Sequence, residues 1–180
     1  GAVFVNKRNA IHYENMSIAL AESVANQGQG FINSMAFGNG GTSVDPTGII
    51  TYLTPNSTGT NASLYNQTFT KIVDDRSVSN LDPQRNKIET RHVNGTNYTD
   101  VVVTCLLDYG EPNGQDATDT ASASDSLYVF DELGLVSYAS SGTGKLLTHV
   151  VFHPVQKSLN RLIQIDYTVR VQSLTGFNEG

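Results

Sequence analysis

The side chains of this sequence that could hold a metal or move a proton are His12, His92, His149 and His153, the single cysteine Cys105, and 17 carboxylates. His149 and His153 stand four apart, which on a helix would make a metal-binding pair. Their surroundings read as strand, where four residues span about 13 Å, so they share a face but not an ion and are expected to be ordinary strand-end histidines. Cys105 sits inside Val101-Val102-Val103-Thr104-Cys105-Leu106-Leu107 and is expected to act as a small hydrophobe. One cysteine excludes an internal disulfide framework and any multi-cysteine zinc or iron-sulfur site. Ser141-Gly142-Thr143-Gly144-Lys145 resembles part of a phosphate loop. However, Ala139 stands at the first glycine position and Leu146 replaces the hydroxyl residue that would hold magnesium, so a hairpin turn is expected. Asp116-Ala117-Thr118-Asp119-Thr120 lacks the alternating oxygen ligands and the central glycine of a compact calcium loop. No nucleophile elbow, Ser-His-Asp order or carboxylate pair in an apolar setting is legible. The chain is therefore not read as an enzyme, and no catalytic, cofactor-binding or metal residue is assigned.

Six Asn-x-Ser/Thr triplets begin at Asn15, Asn56, Asn61, Asn66, Asn94 and Asn97, as in a secreted glycoprotein. A chain rich in Asn and Thr produces such triplets by chance. With neither a signal-peptide pattern nor disulfides, the glycoprotein reading is set aside.

The elements that must position these residues are bounded by composition. The 180 residues suit one domain that buries roughly 70% of its unfolded surface. Charged residues make up 16%, below the roughly 25% usual for globular domains. A net charge of -6 and a pI near 5.0 offer no basic stripe for phosphates, so nucleic acid and membrane surfaces are not expected partners. No apolar run approaches the roughly 18 residues of a spanning helix, and the chain reads as soluble.

Between His12 and Asn26, Tyr13, Met16, Leu20, Ala21 and Val24 recur at spacings of three and four, which predicts one helix ending at Gly28 and Gly30. Phe31 to Phe37 predicts a buried strand running into the glycine-rich loop Gly38-Asn39-Gly40-Gly41. Ile49 to Leu53 reads as a short strand or extended arm, and Pro55 to Tyr65 as a polar surface loop. Leu64 to Val73 and Ile88 to Val93 read as strands, and Asn94-Gly95 as a hairpin turn. Tyr98 to Leu107 is apolar on both alternating faces and predicts a central strand covered on both sides. Asp108 to Asp125 is a long exposed acidic loop. Leu127 to Tyr138 and Leu146 to Phe152 read as strands joined through Ser140 to Gly144. Finally, Ile163, Ile165, Tyr167, Val169 and Val171 alternate with Leu162, Gln164, Asp166, Thr168 and Arg170, a half-buried antiparallel strand.

Taken in order, these pieces resemble a known family. The helix, then Met35-Ala36-Phe37-Gly38-Asn39-Gly40-Gly41 and Pro46, resembles the N-terminal attachment domain of tail-collar fibre proteins of contractile-tailed bacteriophages. In that family the helix precedes an alanine-apolar-glycine-acidic-glycine turn; Asn39 stands here at the acidic position. Leu64-Tyr65-Asn66-Gln67-Thr68-Phe69, Val101 to Leu107 followed by Glu111-Pro112-Asn113-Gly114, and Asp131-Glu132-Leu133-Gly134-Leu135-Val136 resemble three further family segments, with Gln115 to Ser126 standing as an insertion.

The resulting expectation is an α+β, mainly antiparallel β fold, sandwich-like, with one N-terminal helix and long polar loops. It forms a single domain over 1–180, with an arm and helix at 1–30 and a β-rich core at 31–175. The resemblance implies a structural virion protein of a tailed phage, an assembly or fibre-attachment component of the tail, baseplate or neck, made in the host cytoplasm. It implies no cofactor, and as partners copies of itself and other tail or neck proteins. The interface is expected in loops carrying Asn39, Asp45, Asn56, Asn61, Glu111, Asp116 and Asp119. Alternative readings are a capsid decoration protein, with the same composition and a different partner, or a carbohydrate-binding β module, which the absence of Trp disfavours.

Overall fold

A computed structural model describes residues 10–112 and 127–174. In chain order the elements are β1 (Ala10–Ile11), α1 (Tyr13–Val24), β2 (Ile32–Gly38), β3 (Thr42–Val44), β4 (Ile50–Tyr52), β5 (Gln67–Ile72), β6 (Lys87–His92), β7 (Tyr98–Leu107), β8 (Leu127–Ser137), β9 (Thr148–Ser158) and β10 (Ile163–Gln172). They form a five-stranded sheet in the order β1-β9-β8-β2-β5, a three-stranded sheet β10-β7-β6 and a two-stranded ribbon β3-β4. Every strand pairing is antiparallel, so the fold is β-rich with one short helix.

Both larger sheets contribute to one apolar core. Met35 and Phe37 of β2, Phe130, Leu133 and Leu135 of β8, and Val150 and Phe152 of β9 join Val103, Cys105 and Leu107 of β7 with Tyr167 and Val169 of β10. Phe130 lies edge-on to Phe37 and Phe152, with ring centroids 5.4 and 5.7 Å apart, the geometry that aromatic quadrupoles favour. Each such ring, fully buried, contributes roughly 1.5 to 3 kcal/mol.

The alternating patterns are realised as expected. β7 is central in its sheet and buries Val102 and Leu106 on one face and Val103 and Cys105 on the other. Burial pushes the Cys105 thiol up to about 12, so it remains a protonated hydrophobe. On β10, Tyr167 and Val169 are buried while Gln164, Asp166, Thr168 and Arg170 face solvent.

The helix forms where its spacing predicts, but a different face is buried. Asn15 and Ala19 point inward and Met16 packs on the core, whereas Tyr13 and Val24 are 77% and 86% exposed and Leu20 and Ala21 are exposed as well. Polar groups hold the first turn inward, where the His12 imidazole caps the helix by accepting the Asn15 backbone N–H at 3.1 Å.

β9 continues beyond its expected end at Phe152 to Ser158, through an irregularity opposite Phe130–Glu132. Past the short β1 pairing, β9 has no second strand neighbour among the described residues, which lets it accommodate Pro154. The irregularity also breaks the shared face expected of the two histidines: His149 is buried and His153 is exposed.

Candidate functional site

The loops between β2 and β5 are set by buried polar groups on β8 and β9. Asp131 and Glu132, adjacent on β8, are 3% and 0% exposed, and the irregular register at Phe130/Glu132 allows both to leave solvent. Two buried carboxylates would be costly without donors, and backbone N–H groups supply them. Asp131 accepts the Gly41 N–H at 2.8 Å, the Thr42 N–H at 2.9 Å and the Thr42 hydroxyl. Glu132 Oε2 accepts the N–H groups of Gly40 and Asn66, both at 2.9 Å. Its Oε1 accepts the Tyr65 N–H at 2.9 Å and His149 Nε2–H at 2.8 Å. Burial opposes ionisation of Glu132, but His149 and the Asn66, Tyr65 and Gly40 N–H groups together outweigh it and hold the carboxyl below its usual range.

Backbone can approach these carboxylates because the loop is built of glycine. A Cβ on Gly38 would stand 2.4 Å from Asn66 O, and one on Gly40 2.8 Å from Tyr65 Cβ. The requirement is space rather than a left-handed backbone.

Two histidines complete the clamp on the 54–66 loop. A backbone N–H can only donate, so the ring nitrogen that receives it bears no proton. His149 Nδ1 receives the Asn56 N–H at 2.8 Å, which leaves its one proton on Nε2, facing Glu132. His12 Nδ1 receives the Asn15 N–H, so its Nε2–H donates to Gly59 O at 2.7 Å. Asn15 Nδ2 donates to Leu146 O at 2.9 Å, tying the helix to the segment that leads into β9. Both imidazoles are fully buried and neutral, and both are used to position backbone.

The expected interface residues that lie among the described ones divide into three groups. Asn39, Asn56 and Asn61 lie on the loops that this cluster holds. Asn39 accepts an amide N–H from Asn66 at 2.5 Å, the Asn56 side chain donates to Ser63 O at 2.8 Å, and Asn61 is exposed. Asp45 sits at the tip of the β3–β4 ribbon, where it accepts the N–H groups of Thr47 and Ile49 at 2.8 and 2.9 Å and builds the turn. The Thr47 hydroxyl and the Ile49 N–H hold its carboxyl below the usual range.

Glu111 belongs to a separate cluster, toward the opposite end of β9. There it pairs with Lys71, while the buried Lys157 ammonium donates to the carbonyls of Asp108, Glu111 and Ser158 at 2.9, 2.6 and 2.8 Å. Asp116 and Asp119 lie outside the described residues.

The ribbon rooted on Asp131 presents apolar residues to solvent: Val44 is 62% exposed, Ile49 63%, Tyr52 44% and Leu53 39%. A two-stranded ribbon of three-residue strands is marginal alone, so its root contacts hold it in place. Besides Asp131, these include the Leu53 N–H on Gly41 O at 2.8 Å. A groove beside β5 is lined by Lys71, Asp82, Arg85, Asp108 and Glu111, whose charges pair with one another: Lys71 with Glu111, and Arg85 with Asp82 and Asp108.

Neither the buried carboxylates nor the two buried histidines were legible as a site in the sequence; the signal, visible only in retrospect, is Gly38-Asn39-Gly40-Gly41 paired with an Asp-Glu doublet inside an apolar strand. Among the described residues, no group of three or more His, Cys, Asp or Glu side chains is arranged to hold a metal ion, and no helix is long and apolar enough to cross a membrane. No protein-family model matches the chain, and no curated protein is significantly similar to it.

Proposed function

We propose that this chain is a structural, non-catalytic virion component of a tailed bacteriophage, with a sandwich-like body. It serves assembly or fibre attachment at the tail, baseplate or neck, and docks with copies of itself and with neighbouring tail or neck proteins through its loops. The observation that carries this reading is the β3–β4 ribbon, which exposes Val44, Ile49, Tyr52 and Leu53 from a root fixed by Asp131. An apolar surface on a held arm is suited to burial against a partner. The buried His149–Glu132 pair supports a non-catalytic role, because its hydrogen-bonding capacity is directed to protein backbone.

The test is the mass of the purified chain in solution by light scattering across concentration, for wild type and for Val44→Asp/Ile49→Asp. A discrete oligomer whose higher order the double variant abolishes, with unchanged circular dichroism, supports arm docking. A wild type whose mass is indifferent to the arm, together with a specific hit on a glycan array, moves the carbohydrate-binding reading to first place.

A further inference from the structure

Among the described residues the outer edge of β10 is uncovered, and one twofold register across it is complementary in charge. Ser173 N–H donates to Asn97 O at 2.9 Å, and the pair Ser173–Asn97 continues the β10–β7 register beyond Gln172↔Tyr98. In an antiparallel ladder, hydrogen-bonded and non-hydrogen-bonded pairs alternate, so Ile163, Ile165, Tyr167, Val169 and Val171 exchange bonds with β7. Gln164, Asp166, Thr168, Arg170 and Gln172 therefore turn their N–H and C=O groups away from β7. The far side of β7 agrees: Leu106, opposite Gln164, donates its N–H to Asn86 toward β6.

Among the described residues no strand covers this edge. β10 runs ten residues without a register shift, proline or glycine, so no bulge or missing donor interrupts its edge. By contrast β6, the other edge of the sheet, carries the charged series Lys87, Glu89 and Arg91.

The geometry points to a second copy of this chain as the occupant, pairing β10 antiparallel to β10 about a twofold axis at Thr168. Only registers that place outward-facing residues opposite each other can form the ladder. Registers centred on Asp166 or Arg170 set like charges opposite. Registers centred on Tyr167 and Thr168 overlap β10 equally, and of these only the one centred on Thr168 sets Asp166 against the partner's Arg170, twice over. It also sets Ile165 against the partner's Val171, which is 41% exposed in the single chain. The three-stranded sheet becomes a continuous six-stranded one. This inference rests on the edge geometry, goes beyond the docking role of the arm, and holds or fails independently of it.

Thr168→Cys tests the contact directly in the full chain. Hydrogen-bonded pairs in such a ladder have Cα atoms about 5.5 Å apart, within disulfide reach. The expected result is a covalent dimer on mild oxidation, unaffected by Val44→Asp/Ile49→Asp, while Thr90→Cys on β6 yields none. In sedimentation equilibrium, Thr168→Pro removes an outward N–H without touching the β7 ladder and raises the dimer dissociation constant more than about tenfold. Asp166→Lys, which keeps every backbone donor, weakens the dimer in the same direction. A monomeric wild type at all concentrations overturns the proposal. So does a dimer that persists in Asp166→Lys while Thr168→Cys stays reduced. If Thr168→Pro does not fold, the other two variants decide.

Discussion

His149 donates its Nε2–H to Glu132 at 2.8 Å and receives the Asn56 N–H on Nδ1 at 2.8 Å, so one buried ring joins β8, β9 and the 54–66 loop. Glu132 in turn gathers the N–H groups of Gly40, Tyr65 and Asn66. The loop end of the molecule is thus organised around a charge that solvent does not reach.

Replacing that charge with a neutral isostere should be costly. Glu132→Gln leaves an amide NH2 facing backbone donors, and the expected loss is about 2 to 4 kcal/mol in urea unfolding. A loss under about 0.5 kcal/mol would mean that the carboxylate does not organise the loops.

The same group sets an acid limit. Its folded-state value lies below the usual 4.5, so the stability it contributes is fully present above that pH and is lost as pH falls through the lower folded value. The urea midpoint should therefore fall below about pH 4.5, and more steeply in wild type than in Glu132→Gln. Parallel curves for the two proteins would contradict this assignment.

Gly38→Ala probes the close approach of backbone to the carboxylate. The new Cβ would meet Asn66 O at 2.4 Å and Glu132 Oε2 at 2.7 Å, and neither the strand nor the buried side chain can withdraw freely. A destabilisation of about 2 kcal/mol or more is expected in thermal or urea melts, whereas Ser43→Ala on the exposed ribbon should be close to neutral.

At the other cluster, Lys157→Met removes an ammonium that satisfies three backbone carbonyls. Burial lowers the Lys157 value, so the charge is held at a cost, yet the orphaned carbonyls cost more and the expected loss is about 3 kcal/mol. A variant as stable as wild type would show that water replaces the ammonium at no cost.

Much of the scaffold was legible because its cause is local. Alternation from Ile163 to Val171 reflects a period-two chain with one wet face, and Tyr98 to Leu107 reads as central because both of its faces are apolar. The helix was legible from its spacing, but its buried face was not. Apolar periodicity registers transfer from water, whereas Asn15 turns inward to donate to Leu146 O, a residue far along the chain. Likewise the 38–41 glycines announced a loop but not its purpose.

Asp131, Glu132 and His149 could not be distinguished in the sequence from ordinary strand charges and a strand-end histidine. Whether a carboxylate is buried depends on which donors surround it, and these come from Gly40, Gly41, Thr42, Tyr65 and Asn66 on distant segments. Local pattern determined that this chain builds antiparallel strands and one helix. Only the tertiary structure decided which polar groups leave water, because desolvation is balanced by hydrogen bonds that exist once those segments meet.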